Sequence, residues 1–153
     1  MRLVARSILG FAVMLQLGCS ETFEESFASM TNGGAQDLVE RGWIPEDLPR
    51  SATEIRIRWN LDTNMVRGSF RVQKDDLAAL RLRLQPLGED VIPPFWQTGG
   101  VTPSWWPREL NPPKSVSALR ADGWEVFTFP SSAKSYVAIH SSEGRLYFWR
   151  ESS

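Results

Sequence analysis

The chain holds 153 residues, of which 42% are hydrophobic and 23% charged, with a formal charge of −1. That length supports one domain behind a leader, and that balance excludes wholesale disorder and offers no basic excess for nucleic acid. Seven tryptophans and eight phenylalanines supply the apolar surface for a core.

Residues 1–18 open with Arg2 and Arg6 and continue in an apolar run, Ile8 to Leu17, interrupted by Gly10 and Gln16. The run is too short to span a bilayer and fits the apolar stretch of a secretory signal. It ends in Leu17-Gly18-Cys19, which resembles the lipobox of bacterial lipoproteins, although Gln16 stands where that pattern prefers leucine. The resemblance implies a signal peptide cut before Cys19, the only cysteine, and a diacylglycerol group on its thiol. Cleavage by ordinary signal peptidase and a retained buried helix are the competing readings. Ser20, rather than aspartate, permits passage to the outer membrane under the enterobacterial sorting rule. Without residues 1–18 the chain keeps 15 basic and 18 acidic side chains.

Residues 20–41 read as two helical pieces. Glu21, Glu24 and Glu25 enrich the first start with acid, and Phe23, Phe27 and Met30 recur at helical spacing. Gly33-Gly34 interrupts, and Asn32 can cap a second helix through Ala35, Leu38 and Val39. Gly42 suits the left-handed residue that closes a helix, and Pro45 and Pro49 stiffen a corner. Ile55, Ile57 and Trp59 then alternate with Arg56 and Arg58. After Asn60-Leu61-Asp62-Thr63-Asn64, the residues Val66, Phe70 and Val72 alternate with Arg67, Ser69 and Arg71. These two runs predict a hairpin.

Asp75 and Asp76 are expected to cap a helix carrying Leu77, Leu80 and Leu84 on one face, stopped by Pro86. Residues 86–122 hold seven prolines, Gly99-Gly100, Phe95, Trp96, Trp105 and Trp106. So long a loop is functional, mobile or built on short elements, such as a helix near Ser115 to Leu119 with Ser115 or Ser117 as cap. Trp124 to Phe129, Tyr136 to His140 and Arg145 to Glu151 complete the strands, the last two flanking a glycine-bearing turn. The expected fold is α+β: an antiparallel sheet of about five strands with two or three helices on one face. Residues 19–153 form one envelope domain, with the 86–122 loop inside it.

The stretch from Arg41 to Asn64 is similar to a pattern in small bacterial lipoproteins of the YbbD head-domain kind. The residues that carry it are Arg41, Gly42, Trp43, Ile44, Pro45, Leu48, Pro49, Ser51, Ala52, Ile55, Asp62, Thr63 and Asn64. The resemblance implies a single envelope domain and brings no activity, cofactor or catalytic residue.

Candidate chemistry is sparse. Asn60, Asp62 and Asn64 have the spacing that opens a calcium loop, but Met65 replaces the required glycine and Arg71 the closing glutamate. A turn bonding its own backbone fits better. His140 is the sole histidine and sits in a predicted strand without a nucleophile elbow. The adjacent acids Glu46-Asp47, Asp75-Asp76 and Glu89-Asp90 are of a kind that seldom converges on one bond as a glycosidase requires, and Asp75-Asp76 has a sufficient task at a helix start. Arg56, Arg58, Arg67 and Arg71 fall on one sheet face. They form either an anion-facing ribbon, for a headgroup, anionic glycan or acidic partner, or a solvated face neutralised by Glu54, Glu125 or helix acids. Trp96, Trp105 and Trp106 are either a sugar-stacking platform or the anchors of an irregular loop.

The sequence therefore points to a non-catalytic, lipid-anchored envelope protein facing the periplasm. Its membrane contact is through Cys19, its partner an envelope protein or glycan, with no nucleic acid and no cofactor beyond the covalent lipid. A cell-wall glycan binder or hydrolase using residues 95–106, and a periplasmic inhibitor or immunity protein, are the alternatives.

Overall fold

Alternation of apolar and polar residues builds the centre of the molecule. The computed structural model describes residues 21–94, 102–111, 114–140 and 142–150. Seven strands form one antiparallel sheet: β1 (Thr22–Ser29), β2 (Thr53–Asn60), β3 (Met65–Arg71), β4 (Gln85–Pro86), β5 (Trp124–Phe129), β6 (Ser132–His140) and β7 (Arg145–Arg150). The spatial order is β1-β2-β3-β7-β6-β5-β4. Helices α1 (Gly33–Glu40), α2 (Lys74–Arg81) and α3 (Val116–Ala121) and a 3-10 turn at Arg108–Leu110 complete an α+β domain. Two strands, β1 and β4, are added to the five expected.

The register divides the side chains between two cores. Ile55, Ile57 and Trp59 of β2, Val66 and Phe70 of β3, Val137 and Ile139 of β6, and Leu146 and Phe148 of β7 share one face. Ala35 and Leu38 of α1 and Leu77 and Leu80 of α2 cover it. The intervening residues of the second half, Trp124, Val126, Tyr136, Ala138, Tyr147 and Trp149, form a separate cluster with Trp106, Leu110, Val116 and Leu119. Thus α3 packs on the face opposite α1 and α2, whereas the sequence suggested helices on one face only. The reason is visible in β5 to β7, which are apolar on both sides and need cover twice. Gly68 faces the first core between Ile57 and Phe148, and a Cβ there would stand 2.6 Å from the Phe70 ring.

The corner folds as its residues demand. Asn32 accepts a hydrogen bond from the Gly34 amide and caps α1. Gly42 takes φ +75° after the helix, and the Trp43 amide returns to the Leu38 carbonyl. Trp43, Ile44, Leu48 and Ala52 are then buried in the first core.

Two expectations need correction, and a third is met. Residues 22–29 are an edge strand, not a helix, and pair with β2 from Thr22↔Asn60 to Ser29↔Thr53. The cap of α2 is Gln73, with Asp75 and Asp76 inside the first turn, where they favour the helix dipole. Asp76 also accepts a hydrogen bond from Ser51, tying α2 to the corner. In the 86–122 stretch, the described parts carry short elements: α3, capped by Ser115, and the 3-10 turn with its buried Leu110.

Candidate functional site

On the side of the sheet opposite α1, the first three strands carry polar residues: Arg56 and Arg58 on β2, Arg67, Ser69 and Arg71 on β3, and Glu24 on β1. Arg58 stands directly across from Arg67 and from Glu24. Arg71 is opposite Arg145 of β7. The four arginines singled out in the sequence do share a face, but their environments differ.

Arg67 is not solvated. It is 3% exposed, and its guanidinium lies 4.9 Å from the centre of the Trp106 ring. Burial, followed by the Arg58 charge, lowers its pKa to about 10, which leaves it cationic at neutral pH. Arg58 is largely covered and pairs with Glu24 at 3.5 Å, with its Nε buried and without an acceptor among the described residues. Arg71 is exposed and donates from Nε to Glu54 at 2.7 Å, while Arg145 donates to the other Glu54 oxygen at 2.5 Å. Arg56 is exposed. Glu125, considered as a neutralising group, instead takes two hydrogen bonds from Arg81.

The bridging glutamate owes its place to an irregular backbone. The β2–β3 register shifts between Thr53 and Arg56, and Glu54 adopts φ 46° there. Hydrogen bonds from Arg71 and then Arg145 hold its carboxyl below the ordinary value of 4.5. A carboxylate with a depressed folded pKa stabilises fully above its unfolded value, and the contribution is lost as pH falls through the folded one. Glu54→Gln is therefore expected to lower the melting temperature at neutral pH and to match wild type in strong acid. A constant difference across a pH series of thermal melts would show that Glu54 acts by shape instead.

Of the aromatic candidates, Trp106 is a core residue. It meets Tyr147 and Trp149 edge-on at 5.7 and 6.1 Å. Trp105 is half-buried and donates its indole N–H to Glu24 at 2.8 Å. The pair fastens residues 102–111 over the arginine face, so Trp106 does not offer an open ring for a sugar. Trp96 and Cys19 lie outside the described residues.

His140 packs edge-on against Trp124 at 4.8 Å and borders a cavity of about 260 Å³. Ser142 Oγ lies 3.0 Å and Glu143 Oε1 3.9 Å from its Nδ1. Both approach the same ring nitrogen, so the imidazole does not sit between a nucleophile and an orienting acid as a catalytic triad requires. At the opposite turn, Asn60 Oδ1 accepts from the Thr63 amide and hydroxyl, which is the backbone-bonding arrangement anticipated there.

Sequence reasoning missed Glu24 and Arg145 as members of this surface. Glu24 was assigned to a helix, and nothing in a linear reading places β7 beside β3. Their signal is the charge alternation itself, since an acid on a flanking strand is the ordinary neighbour of an arginine ribbon.

The residues shared with the corner pattern now have visible tasks: a left-handed exit, a buried tryptophan, two proline turns and the start of β2. Residues 21–71 match the family model of the YbbD head domain. The YbbD-head match covers 51 of the 153 residues and comprises β1, α1, β2 and β3, ending as β3 does. No curated protein and no solved structure matches the chain. Resemblance to the YbbD head suggests an envelope-associated protein, and among the described residues no helix is long and apolar enough to cross a membrane.

Proposed function

We propose that the chain is a non-catalytic, lipid-anchored protein of the bacterial envelope that binds an acidic envelope partner through the exposed face of β1–β3. One observation carries this reading. On that strip Glu24 pairs with Arg58 and Glu54 with Arg71 and Arg145, Arg67 is buried beneath Trp106, and Arg56 and Arg71 are exposed. The remaining positive charge suits carboxylate or phosphate groups, which a guanidinium engages with paired donors. The lipobox adds the anchor. Only two residues, Ser20 and Glu21, separate Cys19 from the first residue of β1, so the acyl chains would hold this face close to the membrane.

Two measurements test it. Cys19→Ala is expected to abolish labelling by a palmitate analogue and to leave precursor or soluble protein; wild-type chain that takes no label and is washed from membranes by salt removes the anchor. Arg56→Glu combined with Arg71→Glu is expected to leave the fold intact, because exposed ion pairs contribute roughly 0–1 kcal/mol. Binding to the partner crosslinked in envelopes should weaken, and the loss should shrink as salt rises, exposed charges being screened within about 10 Å at 0.1 M. Unchanged binding of the folded double variant assigns these arginines to a solvated face. The glycan-binding alternative rests on Trp105, whose ring is half-buried, and on Trp96, outside the described residues, and sedimentation with peptidoglycan decides it.

A further inference from the structure

The two edges of the sheet are built differently. At one, β4 is two residues long and contains Pro86, which has no N–H to offer a neighbour. Such an edge cannot be extended. At the other, β1 runs for eight residues without proline or glycine and, among the described residues, pairs only with β2. Phe23, Glu24, Glu25, Ser26 and Ala28 are exposed, covering both faces of the strand. Natural sheets blunt their edges with short strands, prolines, bulges or a covering element. Here one edge is blunted and the other is left long.

The side chains of β1 say what fits beside it. Toward the trunk of the domain, Glu24 is engaged by Arg58 and Trp105. On the opposite face the order is Phe23, Glu25, Phe27. Phe23 is 44% exposed and stacks on Trp59 at 5.5 Å, and Phe27 leans on the first core. Glu25 lies between them opposite the fully buried Ile57 and makes no ion pair among the described residues. An added strand would meet an apolar, an acidic and an apolar position in turn, at the two-residue period of a pleated sheet. A second copy of β1 paired antiparallel about Glu25 would set glutamate against glutamate, which is unfavourable.

We infer that β1 is a docking edge for an extended segment of a partner protein carrying apolar, basic and apolar side chains at alternate positions. Main-chain hydrogen bonds to the open edge supply the attachment, and Glu25 between the two phenylalanines supplies the selection. This surface is separate from the arginine face and does not depend on it.

The test uses the full chain in detergent micelles and a capped heptapeptide with valine at its second and sixth positions, lysine at its fourth and threonine elsewhere. Amide resonances of residues 22–29 are expected to shift and to gain protection from exchange on its addition. A twin peptide with glutamate at the fourth position should bind about fivefold more weakly, and Glu25→Lys should invert that preference. Because Glu25 is an exposed edge residue, its replacement leaves both cores untouched. N-methylation of the peptide's alternate amides should abolish binding in one phase and spare it in the other, as only one row of N–H groups faces β1. No response of β1 to millimolar peptide, equal binding of the two peptides, or insensitivity to both methylation phases overturns the inference.

Discussion

Trp43→Ala is expected to destabilise the domain by about 3–5 kcal/mol, the range for truncating a large core aromatic. Trp43 is 8% exposed, 6.2 Å from the Trp59 ring, and its own ring lies beneath the Arg150 guanidinium at 5.4 Å. Arg150 in turn donates to the Gly42 carbonyl at 2.7 Å, so the corner and β7 are joined through this one side chain pair. Burial already lowers the Arg150 pKa. Removing the indole would leave that cation over a cavity, with neither the ring face nor full hydration. Urea titration of the variant measures the loss, and Trp43→Phe should recover most of it. A change under about 1 kcal/mol would mean that the corner holds without its tryptophan, and Trp43 would become a candidate for recognition.

Trp106→Ala should cost a similar amount, about 3–5 kcal/mol, but with a different local signature. Trp106 is 5% exposed and is the point where the 102–111 segment enters the second core, between Tyr147, Trp149 and Arg67. Without it the segment loses its main apolar anchor and Arg67 loses its aromatic cover. Arg108 lies exposed two residues further on, in the 3-10 turn. Limited trypsin digestion should therefore cut after Arg108 in the variant well below its global melting temperature, because locally opened segments are the ones proteases reach. A variant that unfolds globally with no earlier cleavage at Arg108 would place the anchor elsewhere, in Leu110.

The hairpin of β2 and β3, the corner before it and the three later strands were legible because their apolar residues keep strict periods or end at proline and glycine. The first strand was not. Phe23 and Phe27 are four apart, and residues four apart share a face in a helix and in a strand alike. Since β1 is exposed on both faces, burial adds no alternation that would separate the two readings. Glu24 and Glu25 further resemble a helix start. The second core was legible only as composition: Trp105 and Trp106 read as loop anchors more readily than as a platform, and Tyr147 and Trp149 lie against Trp106. For the candidate site, the face shared by the four arginines followed from alternation alone. The burial of Arg67 did not, because it depends on a segment some forty residues away in sequence folding back over β3.

The pairing of β3 with β7 has a consequence for how the chain is completed. Val66 to Arg71 are joined to Arg145 to Arg150, so the middle of the sheet is closed by the last described strand. As a polypeptide emerges from its N-terminus, β1 to β3 can assemble early, yet β3 keeps one row of N–H and C=O groups unsatisfied until residues 145–150 arrive. Loop closure over that span is slow compared with forming the β2–β3 hairpin. During this interval the half-made sheet has a sticky inner margin of Val66 and Phe70, which invites association with other nascent chains. Truncation before Arg145 would make the interval permanent and would bare β6 as well as β3, turning a sealed sheet into two separate, adhesive ones.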